Sequence, residues 1–231
     1  MNHTQSGKAL PLVIIGVVAL AAGIILYGLL NDRSGSAGDS GASAEQAEQL
    51  AVLQESLNTT LALPVDFKTV NDFELMDANG EVITQAVLDD QWSLMFFGYT
   101  HCPDVCPITL QILKNMVAKL ESQGQQAPQI IFVTVDPKRD TAEVMNQYIA
   151  YFNEDFIGIT GEQNQIHDMT TQLGIVASFT ANKEDPDNYI VDHSASLLLV
   201  DPQRRLRAKV SPPLDVDNII ADYLNVTSAP S

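Results

Sequence analysis

Sulfur is scarce in this chain. Two cysteines occur in 231 residues, and both lie in one run, Gly98-Tyr99-Thr100-His101-Cys102-Pro103-Asp104-Val105-Cys106-Pro107. Any thiol chemistry therefore belongs to that run. Basic residues are also few: 12 Lys and Arg stand against 29 Asp and Glu, a formal charge of −17. Phosphate backbones are bound by clustered Lys and Arg, so the shortage argues against nucleic acid as a partner. The acidity reads as a well-solvated surface, with steering toward a basic partner or a cation as the sharper alternative. No cysteine follows the apolar run near the amino terminus, which removes a lipoprotein anchor. That leader has almost no arginine, which argues against a mitochondrial transit peptide. Internal repeats are absent.

What the leader does contain is a long uncharged stretch, Ala9 to Leu30. A helix of this length, rising ~1.5 Å per residue, crosses the ~30 Å hydrocarbon layer. A cleaved signal peptide is the competing reading, but its apolar core is only ~7–15 residues long, and no Ala-x-Ala site follows this run at once. An uncleaved anchor is expected over residues 1–33. Lys8 precedes the span, whereas Asp32 and Arg33 cancel after it. The positive-inside tendency then puts the amino terminus in the cytoplasm and the remainder in the periplasm, tethered to a bacterial inner membrane. Residues 34–61 form a Gly/Ser-rich tether, with a short helix expected from Glu45 to Leu57. A globular domain over 62–225 and a tail over 226–231 complete the chain.

Within the domain the pattern alternates. Phe73 to Thr84 is a hairpin, with Asn79-Gly80 suited to a two-residue turn at positive φ. Ser93 to Tyr99 and Ile130 to Val135 are apolar runs of the buried parallel type. Between them Ile108, Ile112, Met116 and Leu120 repeat at helical spacing, and Gly124 supplies the stop. Pro107 suits the first helical position, so the helix is expected to begin just after Cys106 and leave both thiols on an exposed turn. Asp140 and Glu143 read as a capping pair for a helix to about Phe152. A short strand from Phe156, a helix from Glu162 to Leu173, strands flanking His193, a hairpin strand over Leu206 to Val210 and a helix from Asp215 to Leu224 follow. This order predicts one α/β fold around a mixed sheet with helices on its flanks, of thioredoxin-like architecture.

The thiols are the chemical centre of the sequence. A cysteine works as nucleophile or metal ligand in its thiolate form, and the start of a helix favours that charge. A permanent disulfide is the bland reading, but so short a loop stabilises little, because the entropic gain grows with loop size. Four histidines occur. His3 precedes the anchor, His167 reads as an ordinary helical residue, and His101 adjoins Cys102 but is expected to point elsewhere. His193, in Val191-Asp192-His193-Ser194-Ala195, is the candidate third donor. Two thiolates and one imidazole suit Cu(I) or Zn(II) and leave a position open for ligand exchange. An exported site of that kind points to copper. Asp136 ends the second central strand and is either a group that orients His193 from behind or a plain loop acid.

Three motifs stand in order: Gly-Tyr-Thr-His-Cys102-Pro-Asp-Val-Cys106-Pro, then Val-Asp136-Pro-Lys-Arg-Asp-Thr, then Tyr189-Ile-Val-Asp-His193-Ser-Ala, with Asp201-Pro202 following. Together they resemble the Sco/SenC family of copper proteins across about residues 62–225. The resemblance implies a thioredoxin-like domain outside the cytoplasm, with copper as Cu(I) or Cu(II) held by Cys102, Cys106 and His193. It implies help in assembling cytochrome c oxidase: copper delivery to the dinuclear centre of subunit II, reduction of that centre's cysteines, or both. Other copper chaperones or thiol reductants are implied as partners. One departure is the turn after Asp201-Pro202, which reads Gln-Arg-Arg without the glycine common there. The rival readings are a thiol–disulfide oxidoreductase, with Cys102 attacking and Cys106 resolving, and a redox or copper sensor. A peroxidase is disfavoured because no separate motif for peroxide activation is present.

Overall fold

A computed structural model describes residues 39–180 and 189–229. The expected membrane span lies outside them, and among the described residues no helix is long and apolar enough to cross a membrane. The elements in chain order are α1 (Asp39–Glu55), β1 (Thr60–Ala62), β2 (Glu74–Asp77), β3 (Val82–Thr84), a 3-10 turn (Gln85–Leu88), β4 (Ser93–Gly98), α2 (Val105–Ser122), β5 (Gln129–Thr134), α3 (Ala142–Phe152), β6 (Ile157–Thr160), α4 (Gln163–Gln172), β7 (Ala177–Thr180), β8 (Ile190–His193), β9 (Leu197–Val200), β10 (Leu206–Val210) and α5 (Val216–Ser228). Among the described residues, those from Gln46 onward belong to one compact unit.

Eight strands form one mixed sheet in the order β1-β10-β9-β4-β5-β6-β2-β3. β4, β5 and β6 are parallel, and the outer pairings are antiparallel. The parallel centre follows from composition. All six residues of β4, Ser-Leu-Met-Phe-Phe-Gly, are buried, because side chains alternate between faces and both faces are covered. Leu94, Phe96, Ile130, Phe132, Leu197 and Leu199 pack under α2, α3 and α5. Met95, Phe97, Ile131, Val133, Leu198 and Val200 pack on the opposite face with Ile166 and Met169 of α4. Full burial of a ring such as Phe96 or Phe97 contributes about 1.5–3 kcal/mol.

Topology brings distant segments together. α2 follows directly on the carboxyl end of β4. β9 runs antiparallel to β4, with Phe96 opposite Leu197. The chain entering β9 therefore passes beside the carboxyl end of β4. The residues just before it, including His193, are delivered to the turn that carries the cysteines. Among the described residues β8 pairs only with β7, as a separate two-stranded ribbon with His193 opposite Ala177.

Three local expectations are corrected. The β2–β3 turn has three loop residues instead of two: Asp77 N–H bonds the Glu81 carbonyl at 2.8 Å. Gly80 alone takes positive φ, at 82°, while Asn79 does not, which is the geometry of a longer hairpin with glycine in the left-handed position. α2 begins at Val105, before Pro107, with Cys106 already in its first turn. A proline is tolerated there because the first four N–H groups of a helix have no partner to lose. The cap of α3 is Thr141, whose hydroxyl accepts from Val144 N–H, so Asp140 is not a capping residue.

The Gln203-Arg204-Arg205 turn between β9 and β10 holds Arg204 at φ 63°, in the place where glycine would be unstrained. Asp201 stabilises the turn by accepting the N–H groups of Gln203 and Arg205, each at 2.9 Å.

Candidate metal and thiol site

The first turn of α2 builds half of the site. Cys106 is fully buried, and Cys102 is half-buried on the turn before it. The exposed turn expected from sequence is thus wrong for Cys106, because its sulfur faces the core. Cys102 N–H donates to the Tyr99 carbonyl at 3.2 Å, and the Cys106 N–H points at the Cys102 sulfur, 3.5 Å away. The sulfur occupies the anion position at a helix start. Both thiols are free.

The two sulfurs differ sharply in acidity. A hydrogen bond from the Cys106 thiol, with N–H groups of Cys106 and Asp104 and the His193 ring assisting, lowers the Cys102 pKa to about 5 against the effect of burial. The Cys106 thiol is pushed well above its ordinary value, first because it donates to Cys102 and second by burial. One sulfur is the thiolate and the other holds the proton.

His193 supplies the third donor. Its Nε2 lies 3.4 Å from the Cys106 sulfur. Its Nδ1 lies 3.2 Å from the Ser194 carbonyl. A carbonyl only accepts, so Nδ1 carries a hydrogen and Nε2 is the ring atom that faces the sulfurs. The ring is walled edge-on by Phe96 and Tyr99, at centroid distances of 6.3 and 5.8 Å. The donor atoms of Cys102, Cys106 and His193 all lie within 4.8 Å of one another. A soft metal ion accepts such a donor set, and three ligands leave a coordination position open.

The floor of the site explains one glycine. A Cβ added at Gly98 would sit 2.7 Å from the Cys106 sulfur and 2.8 Å from the Phe132 ring. Only hydrogen fits between the end of β4 and the thiol.

Asp136 does not touch His193. It is buried, pairs with the Arg139 guanidinium, and accepts the Tyr189 hydroxyl at 2.7 Å. Arg139 also stacks on the Tyr189 ring at 3.7 Å and bonds the Tyr189 carbonyl at 3.0 Å. Tyr189 immediately precedes β8, so Asp136 secures the strand that bears His193 instead of the ring itself. His101 is exposed and turns toward Thr100 and Asp140. His167 is an exposed residue of α4.

The residue that sequence reasoning missed is Asp140. It is fully buried and accepts from Thr100 N–H at 3.0 Å, Thr100 Oγ1 at 2.6 Å and Thr134 Oγ1 at 2.6 Å. Burial raises its pKa, and those hydrogen bonds oppose the shift. The available signal was its place at the end of the second motif, six residues beyond the apolar strand.

Fold and site define a thioredoxin-like domain with a two-cysteine, one-histidine cluster at its first strand-to-helix turn. The SCO1/SenC family model matches residues 63–228, and the chain belongs to that family. It is 33% identical over 159 residues to a putative copper-binding protein of Stutzerimonas stutzeri, covering 69% of this chain and 76% of that one. It is 41% identical over 133 residues to an SCO2-like protein of Rickettsia prowazekii, covering 58% of this chain and 64% of the relative. The match thus spans less than two thirds of the latter's length. The structure superposes on Arabidopsis thaliana ScoI with copper bound at a TM-score of 0.65 and 27% identity, over 69% of this chain and 98% of that one.

Proposed function

We propose that this protein is a copper chaperone for cytochrome c oxidase assembly, with Cys102, Cys106 and His193 as the copper ligands. The observation that carries the reading is the convergence of two sulfurs and one imidazole nitrogen within 4.8 Å. Cu(I) is the cargo these donors favour, with Cu(II) as a second state. The open coordination position admits an incoming client thiolate, and transfer proceeds by stepwise ligand exchange. The client is a dinuclear copper site of the kind in oxidase subunit II. The apolar stretch Ala9 to Leu30 supports a single-pass anchor in a bacterial inner membrane, with the domain in the periplasm.

A second reading, thiol–disulfide reduction, is favoured by the split acidity of the two free thiols. The Cys102 thiolate attacks a client disulfide, forming a mixed disulfide and releasing one client thiolate. Cys106 passes its proton to His193 Nε2 and attacks the Cys102 sulfur, releasing the second. The client gains two electrons, and the protein is left with a Cys102–Cys106 disulfide that another dithiol must reduce. Both activities serve one client, since cysteines must be reduced before they take metal.

Anaerobic Cu(I) titration followed by X-ray absorption tests the main reading. The expected result is one copper per chain with mixed sulfur and nitrogen ligation, the nitrogen component lost in His193→Ala. Absence of stoichiometric copper, or unchanged affinity in His193→Ala, would overturn it.

A further inference from the structure

We propose that Asp140 is a positioning residue for the thiol pair, acting on Cys102 through Thr100. The inference rests on the copper and thiol reading of the site. β4 and β5 end side by side at Gly98 and Thr134, and beyond that register the two chains diverge. Asp140 fills the gap between them. One carboxylate oxygen accepts from Thr100 N–H and Thr134 Oγ1, and the other accepts from Thr100 Oγ1. Thr100 is therefore held at both its main chain and its side chain, two residues before the metal ligand.

The clamp is itself fixed. Asp140 N–H donates to the Asp136 carbonyl at 3.0 Å, and its own carbonyl accepts from Thr160 Oγ1 of β6 at 2.7 Å. Three neighbouring strand ends thus meet on one residue. Placement of the Cys102 sulfur against the Cys106 N–H and within reach of His193 depends on the path of residues 99–102. That path is set by a carboxylate on a different loop.

Stability alone does not account for this group. Its carboxylate is buried, and among the described residues its only ion-pair neighbour is His101, whose Nδ1 is 3.8 Å away on a half-exposed side chain. A buried charge without a close cation is costly. Its return here is geometry: two hydrogen bonds to Thr100 in the turn that presents the nucleophile and ligand, and a third to Thr134 at the end of β5. Partners that orient metal ligands from behind affect metal affinity even though they never touch the ion.

The full chain tests this with Thr100→Val, Thr100→Ser and Asp140→Asn. Each variant is compared with wild type in Cu(I) affinity against a competing chelator, in iodoacetamide alkylation of Cys102 without metal, and in thermal denaturation. Thr100→Val keeps the side-chain shape and removes the hydroxyl donor. It is expected to weaken Cu(I) binding about tenfold, the lower end for loss of an orienting partner, and to slow Cys102 alkylation several-fold. Thr100→Ser is expected to restore both, and Asp140→Asn to reproduce the Val result. If Asp140→Asn does not fold, the Thr100 pair decides. Wild-type values in Thr100→Val for both affinity and alkylation overturn the proposal, as does failure of Thr100→Ser to restore them. If wild type binds no Cu(I), the copper reading falls and the alkylation comparison decides the clamp by itself.

Discussion

The Nε2 atom of His193 lies 3.4 Å from the sulfur of Cys106, although 87 residues separate them in sequence. The contact is made by the antiparallel course of β9 beside β4, which returns the chain to the end of the strand it left. The ring's other nitrogen is committed to the Ser194 carbonyl. The geometry therefore fixes which nitrogen faces the thiols, and three experiments on the site and its surroundings follow from it, with a fourth on the base of the domain.

Gly98→Ala is expected to damage the site from below. The new methyl would meet the Cys106 sulfur at 2.7 Å and Phe132 at 2.8 Å, both in a close-packed core with little room to shift. Overpacking of this kind costs about 1–3 kcal/mol. Thermal denaturation should show the loss, and Cu(I) affinity should fall with it. Unchanged melting and unchanged affinity would contradict the packing described here.

Thiol reactivity should be lopsided and acid-sensitive. The Cys102 pKa lies near 5, mainly through the Cys106 hydrogen bond, so the thiolate persists at neutral pH and is lost as pH falls through that value. Iodoacetamide should modify Cys102 and spare Cys106. The rate should be flat down to about pH 6 and drop below about pH 5. Cys106→Ala removes the largest contribution and should move the inflection toward the free-thiol range. Equal labelling of the two cysteines by mass spectrometry would refute the asymmetry.

Asp222 governs the other end of the domain. Its buried carboxylate accepts from Asn58 N–H at 2.7 Å, Asn58 Nδ2 at 2.9 Å, Thr59 N–H at 3.0 Å and Thr60 Oγ1 at 2.7 Å, tying the segment before β1 to α5. Burial raises its pKa, but these bonds outweigh burial and leave it below the ordinary carboxylate value of 3.8. A depressed carboxylate stabilises the fold above the unfolded-state pKa, and the contribution disappears as pH falls through the folded value. Asp222→Ala is expected to cost roughly 2–3 kcal/mol at neutral pH, because several donors lose their acceptor. The variant's deficit should shrink in acid, measured by denaturant unfolding from neutral pH down to about pH 3.

Tyr148→Phe is expected to be neutral or stabilising by up to about 1 kcal/mol. Among the described residues the buried Tyr148 hydroxyl has no hydrogen-bond partner, while its ring packs against Phe132 and Phe152. Removing an unsatisfied hydroxyl relieves a desolvation cost. A clear loss of stability would mean that the hydroxyl has a partner.

Much of this was legible in the residues themselves. The apolar runs at Ser93 and Ile130 announced buried parallel strands, and the rarity of cysteine singled out one turn. His193 stood out as the candidate third donor to the thiols, and the motif resemblance implied the same ligand set, although no local pattern carries a contact between segments so far apart. Pro107 misled because a proline near a helix start fits more than one position, and only packing decided that Cys106 sits inside the first turn. Asp140 looked like a cap because Asp followed by Glu three residues on has that spacing. The competing attraction was tertiary: Thr100 and Thr134 offered donors from two other segments. Asp136 was placed at the correct strand end, but its partners, Arg139 and Tyr189, depend on how the loop folds back. β7 escaped notice because Ala177-Ser178-Phe179-Thr180 is short and largely exposed, with neither a buried run nor clean alternation.

Because β8 belongs to its own ribbon and not to the large sheet, the imidazole hangs on a module that the core does not need for its strand order. An engineer could exchange that one side chain for a softer or harder donor and leave the eight-strand scaffold intact. The same packed sheet and helices would then serve as a common chassis for sites tuned to different ions.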